Sequence, residues 1–257
     1  MKAAVHTWYM LGRQARNLMR EPIWVVLLLV QPMVWLLLYG QLFKHVPRLG
    51  GFGTQSYITF LAPGIVVMQA FFGASWSGMG MITDLDRGVI ERFLATPASR
   101  LALVLSQILR AAATATIQGL IILLVALALG VRVHAGVLGW FAILAAAALA
   151  AAVFGGISQG IALIVRREAT MIALANFVSM PLFFLSSILL ATQQMPHWIR
   201  TLAEFNPVNW GVIAAREAVL PGTDWGRLGG HLALLLGMAT LTAAFATWAF
   251  RCYQRSL

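Results

Sequence analysis

The chain has 257 residues, 60% of them apolar and 10% charged, with a net charge of +10. That balance excludes an ordinary soluble domain and a disordered segment, and several uncharged apolar runs reach the roughly 18–20 residues that cross a bilayer. The basic excess does not point to nucleic acid: the lysines and arginines are scattered through loops between apolar runs, where membrane topology accounts for them.

The expectation is an all-α polytopic membrane protein, one domain over 1–257, with six transmembrane helices. Residues 2–20 place Val5, Trp8, Tyr9, Gly12, Ala15 and Met19 on one side. Lys2, His6, Arg13, Asn17 and Arg20 form an adjoining polar face, with Arg16 on the apolar side. Such a basic amphipathic helix lies in the membrane interface; a charged tail without fixed structure is the alternative. The stretch has no signal-peptide core or cleavage site, so the N-terminus is expected to be retained.

Span 1 is predicted over 23–43, with Pro22 in its first turn and a kink at Pro32. Span 2 is predicted over 57–82 and is dense in small and polar residues, Gly64, Ser75, Ser77, Gly78 and Gly80 with Gln69 among them. Small residues let membrane helices pack closely, so this span is expected to be buried or to line a pathway. Next comes the charge-dense segment Asp84–Arg100, in which Val89, Ile90, Phe93 and Leu94 form one apolar stripe before Thr96-Pro97 stops the helix. A short amphipathic helix over 84–97, lying on the membrane surface, is the prediction.

Residues 101–130 read as one long helix whose hydrocarbon part is 111–130, and alanine-rich span 4 over 137–165 contains the close-packing pattern Gly156–Gly160. Span 5 is predicted over 169–190. Pro196, Asn206-Pro207 and Pro221-Gly222 then divide the region before the last span into two short helical pieces, 197–205 and 208–219. They are too short to span and too apolar for a solvated loop, so re-entrant or interfacial half-helices within 197–219 are expected. Trp198, Trp210 and Trp225 suit an interfacial position, and span 6 covers 228–250. With both termini inside, twelve of the 18 lysines and arginines fall on the cytoplasmic side, the distribution the positive-inside rule favours.

The eight acidic residues all lie outside the six apolar cores, which argues against an ion-coupled carrier, and no filter-like sequence supports a selective channel. No phosphate-binding loop of the Walker type is present, so the chain is not expected to hydrolyse ATP. Cys252 stands alone, the five histidines are dispersed near span ends, and no metal site is predicted. Ser179, Ser186 and Ser187 have no histidine or acid nearby in sequence, which weakens an intramembrane hydrolase reading. Met68, Gln69, Phe71, Phe72 and Trp76 on span 2, with Met180, Phe183 and Phe184 on span 5, are candidates for a lipophilic solute's pathway. Packing or lipid contact is the alternative for each. No continuous aromatic ladder for stacking sugars is evident along the chain.

The order TFLAPGIVVMQ, then RGVIERFLATPASR, then FNPVNWGVIAARE resembles the type-2 ABC exporter permeases over essentially the whole chain, most closely the daunorubicin-resistance type. The motif is carried by Arg87, Gly88, Glu91, Arg92, Leu94, Ala95, Thr96, Pro97, Ser99 and Arg100, with Asn206-Pro207 as its companion. Asp84 and Asp86 stand where many members carry a glutamate pair, keeping the charge on a shorter arm. The resemblance implies an export subunit in a bacterial plasma membrane that dimerises with a second copy and sits on two separate ATPase subunits, which bind ATP and Mg. This chain would itself bind no cofactor. Asp84, Asp86, Arg87, Gly88, Glu91, Arg92, Phe93, Leu94, Thr96 and Pro97 would couple to the ATPase, with Phe93 and Leu94 as apolar anchors. Residues 2–20 would be the elbow helix, and Asn206, Pro207 and Trp210 would belong to half-helices that narrow the exit. The implied cargo is a hydrophobic or amphipathic drug or secondary metabolite, or alternatively a lipid-linked glycan; a membrane scaffold or sensor is the non-transporting alternative.

Overall fold

The computed structural model describes residues 30–54, 56–88 and 100–254. The helix expected at 2–20, the first turns of span 1, and the segment 89–99 with Glu91, Arg92, Phe93, Leu94, Thr96 and Pro97 lie outside the described residues.

The described residues are helical, without strands. Helix α1 runs over 30–42; three residues past Pro32 it widens into a π-helical stretch, Trp35–Tyr39, before closing at Gly40–Leu42. Helix α2, Tyr57–Ser75, begins where Ser56 Oγ accepts the Thr59 N–H, and it is apolar on every side, which makes it a helix for the middle of a bundle. Helix α3 covers Gly78–Asp86 and α4 Arg100–Ala128. They are followed by α5, Gly136–Val165, and α6, Glu168–Phe184. Two short helices, α7 at His197–Glu204 and α8 at Pro207–Val219, precede α9, Trp225–Gln254.

Among the described residues four stretches are long and apolar enough to cross a membrane: α2 with α3, Val104–Ala128 of α4, α5, and α9. Span 5 departs from its predicted bounds of 169–190. Helix α6 stops at Phe184, with 17 residues, or about 25 Å of rise against a hydrocarbon core of about 30 Å. The Ser186 hydroxyl turns back onto Phe183 O at 2.6 Å, and the chain continues without helical bonds to Ala191.

Helix α5 is the centre, touching α2, α4, α8 and α9. Its alanines Ala146, Ala147, Ala150 and Ala151 are fully buried, and their short side chains bring neighbouring backbones close. Gly156 and Gly160 form the seam with α9. A methyl on Gly156 would lie 2.9 Å from the Thr242 backbone carbon, and one on Gly160 would meet the Phe245 ring. The helix ends at Arg166, in a left-handed conformation with φ 56°, whose guanidinium stacks on Tyr253 of α9 at 4.6 Å.

The connections gather at two ends. One holds the 50–54 turn, the 130–135 turn, the 185–196 segment and α8, tied by Ala135 N–H to Ala218 O at 3.2 Å and Gln194 Nε2 to Gly50 O at 3.1 Å. The other holds the end of α3, Arg166, Arg167 and the end of α9.

Because the Thr242 backbone cannot yield as a side-chain tip can, Gly156→Ala is expected to destabilise the bundle by about 1–3 kcal/mol. Gly237→Ala on α9, where a methyl meets nothing within 4 Å, should stay within about 1 kcal/mol of the parent. Thermal unfolding of the detergent-solubilised chain compares the two.

Candidate functional site

Span 2, expected as one helix over 57–82, is broken between α2 and α3. The cause lies partly in its serines: Ser75 Oγ donates to Phe71 O at 2.9 Å and Ser77 Oγ to Ala74 O at 2.7 Å, drawing hydroxyls onto carbonyls of the preceding turn. The rest comes from α5. Ser158 Oγ accepts the Gly78 N–H at 2.8 Å and donates to Ser75 O at 2.7 Å, while Gln159 Nε2 donates to Ser77 O at 3.2 Å. The break therefore has partners for its backbone inside an apolar bundle.

Helix α3 carries Asp84, Leu85 and Asp86 of the expected coupling segment, and Arg87 is its C-cap. Asp84 is half-buried and accepts from Gln107 Nε2 at 3.4 Å, whereas Asp86 and Arg87 are exposed. Gly88, at φ +64°, takes the left-handed conformation that ends a helix, and its N–H bonds Leu85 O at 3.0 Å. The arginine–glycine pair of the motif thus closes α3.

The pathway candidates fall into three groups. Met68 and Phe71 are packed in the core, Phe71 against Phe154 at 4.4 Å. Trp76, Met180 and Phe184 are exposed on the flank, and Gln69 and Phe72 are half-buried. Phe183, buried at the end of α6, joins them to a run of rings. It meets Phe184 at 5.1 Å, Phe72 at 5.8 Å and Trp35 at 5.9 Å. From Trp35 the run continues through Tyr39 at 4.5 Å, Phe43 at 5.5 Å and Tyr57 at 5.5 Å to Phe60 at 6.1 Å. A connected run of rings is thus assembled from α1, Phe43 just beyond it, α2 and α6. Its sequence signal was the i, i+4 spacing of Trp35, Tyr39 and Phe43; the crossing to other helices left none.

At the opposite end from Asp84 the irregular segment 185–191 is held by side chains from α2 and α8. Asn206 caps α8, accepting the Val208 N–H at 2.9 Å, and its amide donates to Leu182 O at 2.7 Å and Leu185 O at 3.1 Å. Pro207 fills the first helical position, where no N–H is needed. Asn209 Oδ1 accepts the Ser187 N–H at 3.0 Å and its hydroxyl at 2.6 Å. Tyr57 donates its hydroxyl to Leu189 O at 2.8 Å, and Trp210 Nε1 closes the end of α7 on Glu204 O at 2.6 Å.

Arg216, counted from sequence among loop cations, is instead buried on the last turn of α8. It donates from Nη2 to Ser187 O at 2.7 Å, from Nη1 to Ser187 Oγ at 3.3 Å and from Nε to Phe60 O at 3.4 Å, and it lies over the Phe60 ring at 3.6 Å. Sequence reasoning missed Asn209, Ser187 and Arg216. The available signal was the two-turn spacing of Asn209 and Arg216, which puts them on one face of α8. Among the described residues no three His, Cys, Asp or Glu side chains converge as a metal would need.

Asn206→Ala removes a cap and leaves two buried carbonyls short of a donor, so a loss of about 2–4 kcal/mol is expected. Asn206→Asp should do no better, because its carboxylate would keep the cap but face the Leu182 and Leu185 carbonyls. Thermal unfolding of the two variants tests this; a fully stable aspartate variant would show that the carbonyl contacts contribute nothing.

Residues 5–220 match the ABC-2 type transporter family. The chain is 25% identical over 242 residues, 91% of its length and 80% of the relative's, to the daunorubicin resistance ABC transporter permease protein DrrB1 of Streptomyces coeruleorubidus. It is 29% identical over 210 residues, 80% of its length and 70% of the relative's, to ycf38 of Porphyra purpurea, a protein named as a transport permease. The ycf38 protein of Cyanophora paradoxa is 28% identical over 200 residues, covering 76% of this chain and 68% of that one. With a family match that takes in the broken α2–α3 pair, the ring run and the polar α8, the chain belongs to the ABC-2 type transporter family, as a transport permease.

Proposed function

We propose that this chain is the membrane-spanning permease of an ATP-driven exporter whose cargo is a hydrophobic or amphipathic small molecule. ABC-2 permeases work with ATPase subunits. In this reading two copies of the chain form the membrane part, and each is seated on a separate ATPase that binds ATP and Mg. The chain crosses a bacterial plasma membrane six times with both termini in the cytoplasm. Residues 84–97 dock in the ATPase, the elbow helix 2–20 lies along the inner surface, and α7 with α8 dips into the outer leaflet beside the exit.

The observation that carries the cargo class is the ring run along α1, α2 and α6. Trp35, Tyr39, Phe43 and Phe72 are only half-buried, and Phe184 is exposed, so part of the run remains free to meet a planar apolar solute. DrrB1 is named for daunorubicin resistance. The same rings could stack on sugars, and that keeps a lipid-linked glycan as the second reading. Motion enters at α3: a shift of the docked segment is passed through the Ser158- and Gln159-held break to α2, while the small-residue seam of α5 and α9 stays as the frame.

The test is co-purification of the full chain with a candidate ATPase, and ATPase activity across a panel of planar drugs and lipid-linked sugars. Glu91→Lys with Phe93→Asp is expected to abolish the complex. Failure to form a complex with any ATPase, or a complex indifferent to that pair of changes, would sink the coupling assignment and bring the scaffold or sensor reading forward. Trp35→Ala and Tyr39→Ala should leave the complex intact and raise the half-stimulating drug concentration about threefold to tenfold. No change in either variant would remove the ring run from the pathway.

A further inference from the structure

At the end of the bundle remote from Asp84, a cavity of about 250 Å³ opens between the 51–53 turn, Ala191–Gln193, α8 and the start of α9. Its lining includes Phe60, Thr192, Gln193, Arg216, Glu217 and Arg227. Glu217 is engaged with Arg227 at 3.0 Å, and no carboxylate lies within ion-pair distance of Arg216 among the described residues.

Arg216 is 8% exposed, so its charge is withdrawn from water without a directly paired carboxylate, its neighbour Glu217 being engaged by Arg227. Such burial costs several kcal/mol unless an opposite charge or strong hydrogen bonds offset it. The acceptors it meets are neutral: Phe60 O, Ser187 O and Ser187 Oγ. Neutral donors could serve such acceptors, as the Asn206 amide does for Leu182 O and Leu185 O. Each terminal nitrogen of the guanidinium also keeps a second hydrogen that none of these bonds uses. Stacking on Phe60 at 3.6 Å holds the guanidinium plane in place. With Arg227 paired to Glu217, the three charges leave one positive charge at the cavity.

We propose that this cavity binds an oxyanion, a phosphate or carboxylate group, with Arg216 as the buried receptor and Arg227 as the second cation at the mouth. A planar, pre-oriented guanidinium with free hydrogens is the donor geometry that phosphate and carboxylate oxygens match. Arg227, with its side chain 54% exposed, can share its charge between Glu217 and the arriving group. The space suits a head group or a free anion and is small for a whole drug-sized molecule. Two sources carry this chemistry: the phosphate of an anionic lipid in the adjoining leaflet, and a free anion from solution. The proposal stands apart from the export reading, since it concerns binding by the chain alone.

The test uses the full chain, first in nanodiscs of phosphatidylcholine with and without phosphatidylglycerol, then in detergent with inorganic phosphate against chloride at matched ionic strength. Thermal midpoints and lipid retained in native mass spectra are read. The wild type is expected to be stabilised by phosphatidylglycerol, by phosphate, or by both. Phosphatidylglycerol alone names the lipid head group as the source, and a response to phosphate names the free anion. Arg216→Gln should raise the half-saturating anion concentration about tenfold or more, and Arg216→Lys should fall between it and the wild type. Ile213→Trp fills the cavity from its half-buried rim while leaving the Arg216–Ser187 bonds in place, and it should abolish the response even if Arg216→Gln does not fold. The proposal is overturned if the wild type shows no anion-dependent shift, or if Ile213→Trp shifts as the wild type does.

Discussion

A peptide group that leaves a helix inside an apolar bundle has no water to turn to, and each unmet N–H or C=O there costs several kcal/mol. The seven residues 185–191 put this chain under that constraint, and much of the rest follows from how it is met. Asn206 and Asn209 on α8, Arg216 two turns further on, and Tyr57 on α2 each bond this segment or the turn leading into it. Gly64 lets the segment lie directly on α2, since a methyl there would be 3.1 Å from Ile188 O. The polar residues of α8 are therefore the means by which α6 can end early and the chain can turn within the bundle.

The same logic operates at the α2–α3 break, with α5 as supplier. Ser158 replaces helical bonds at Gly78 and Ser75, so the discontinuity is held rather than loose. The two irregular places sit toward opposite ends of α2, one beside the segment expected to meet the ATPase, the other beside the cavity of Arg216. Between them α2 is packed on all sides, and α5 presents alanine and glycine to its neighbours. A rigid middle with a bonded discontinuity at each end is suited to passing displacement from one end to the other, because packed interfaces shift between discrete arrangements instead of deforming smoothly.

The rings add a flank to this frame. Trp35 and Tyr39 of α1 stack toward Phe43 at its end, and Tyr57 and Phe60 continue the run on α2 until Arg216 covers the last ring. The run of rings thus leads from the flank of α1 to a buried cation, with apolar chemistry along it and charge at its end.

By itself the sequence determined the helical membrane class, the approximate bounds of α4, α5 and α9, and the stop at Asn206-Pro207. Those features rest on local quantities: run length of apolar residues, proline's missing N–H, and a cap that reaches its own next turn. It also determined the family, through contiguous motifs. Only the tertiary structure decided that α2 breaks at Trp76-Ser77, that α6 stops at Phe184, that scattered rings form a connected run and that Arg216 is buried. Each of these depends on a partner far away in the chain: Ser158 for the break, Asn206 and Asn209 for the early stop, Phe183 for the run, Ser187 and Phe60 for the arginine. A hydrogen bond or ring contact across 21 to 156 residues leaves no periodicity to read, and only packing brings its two halves together.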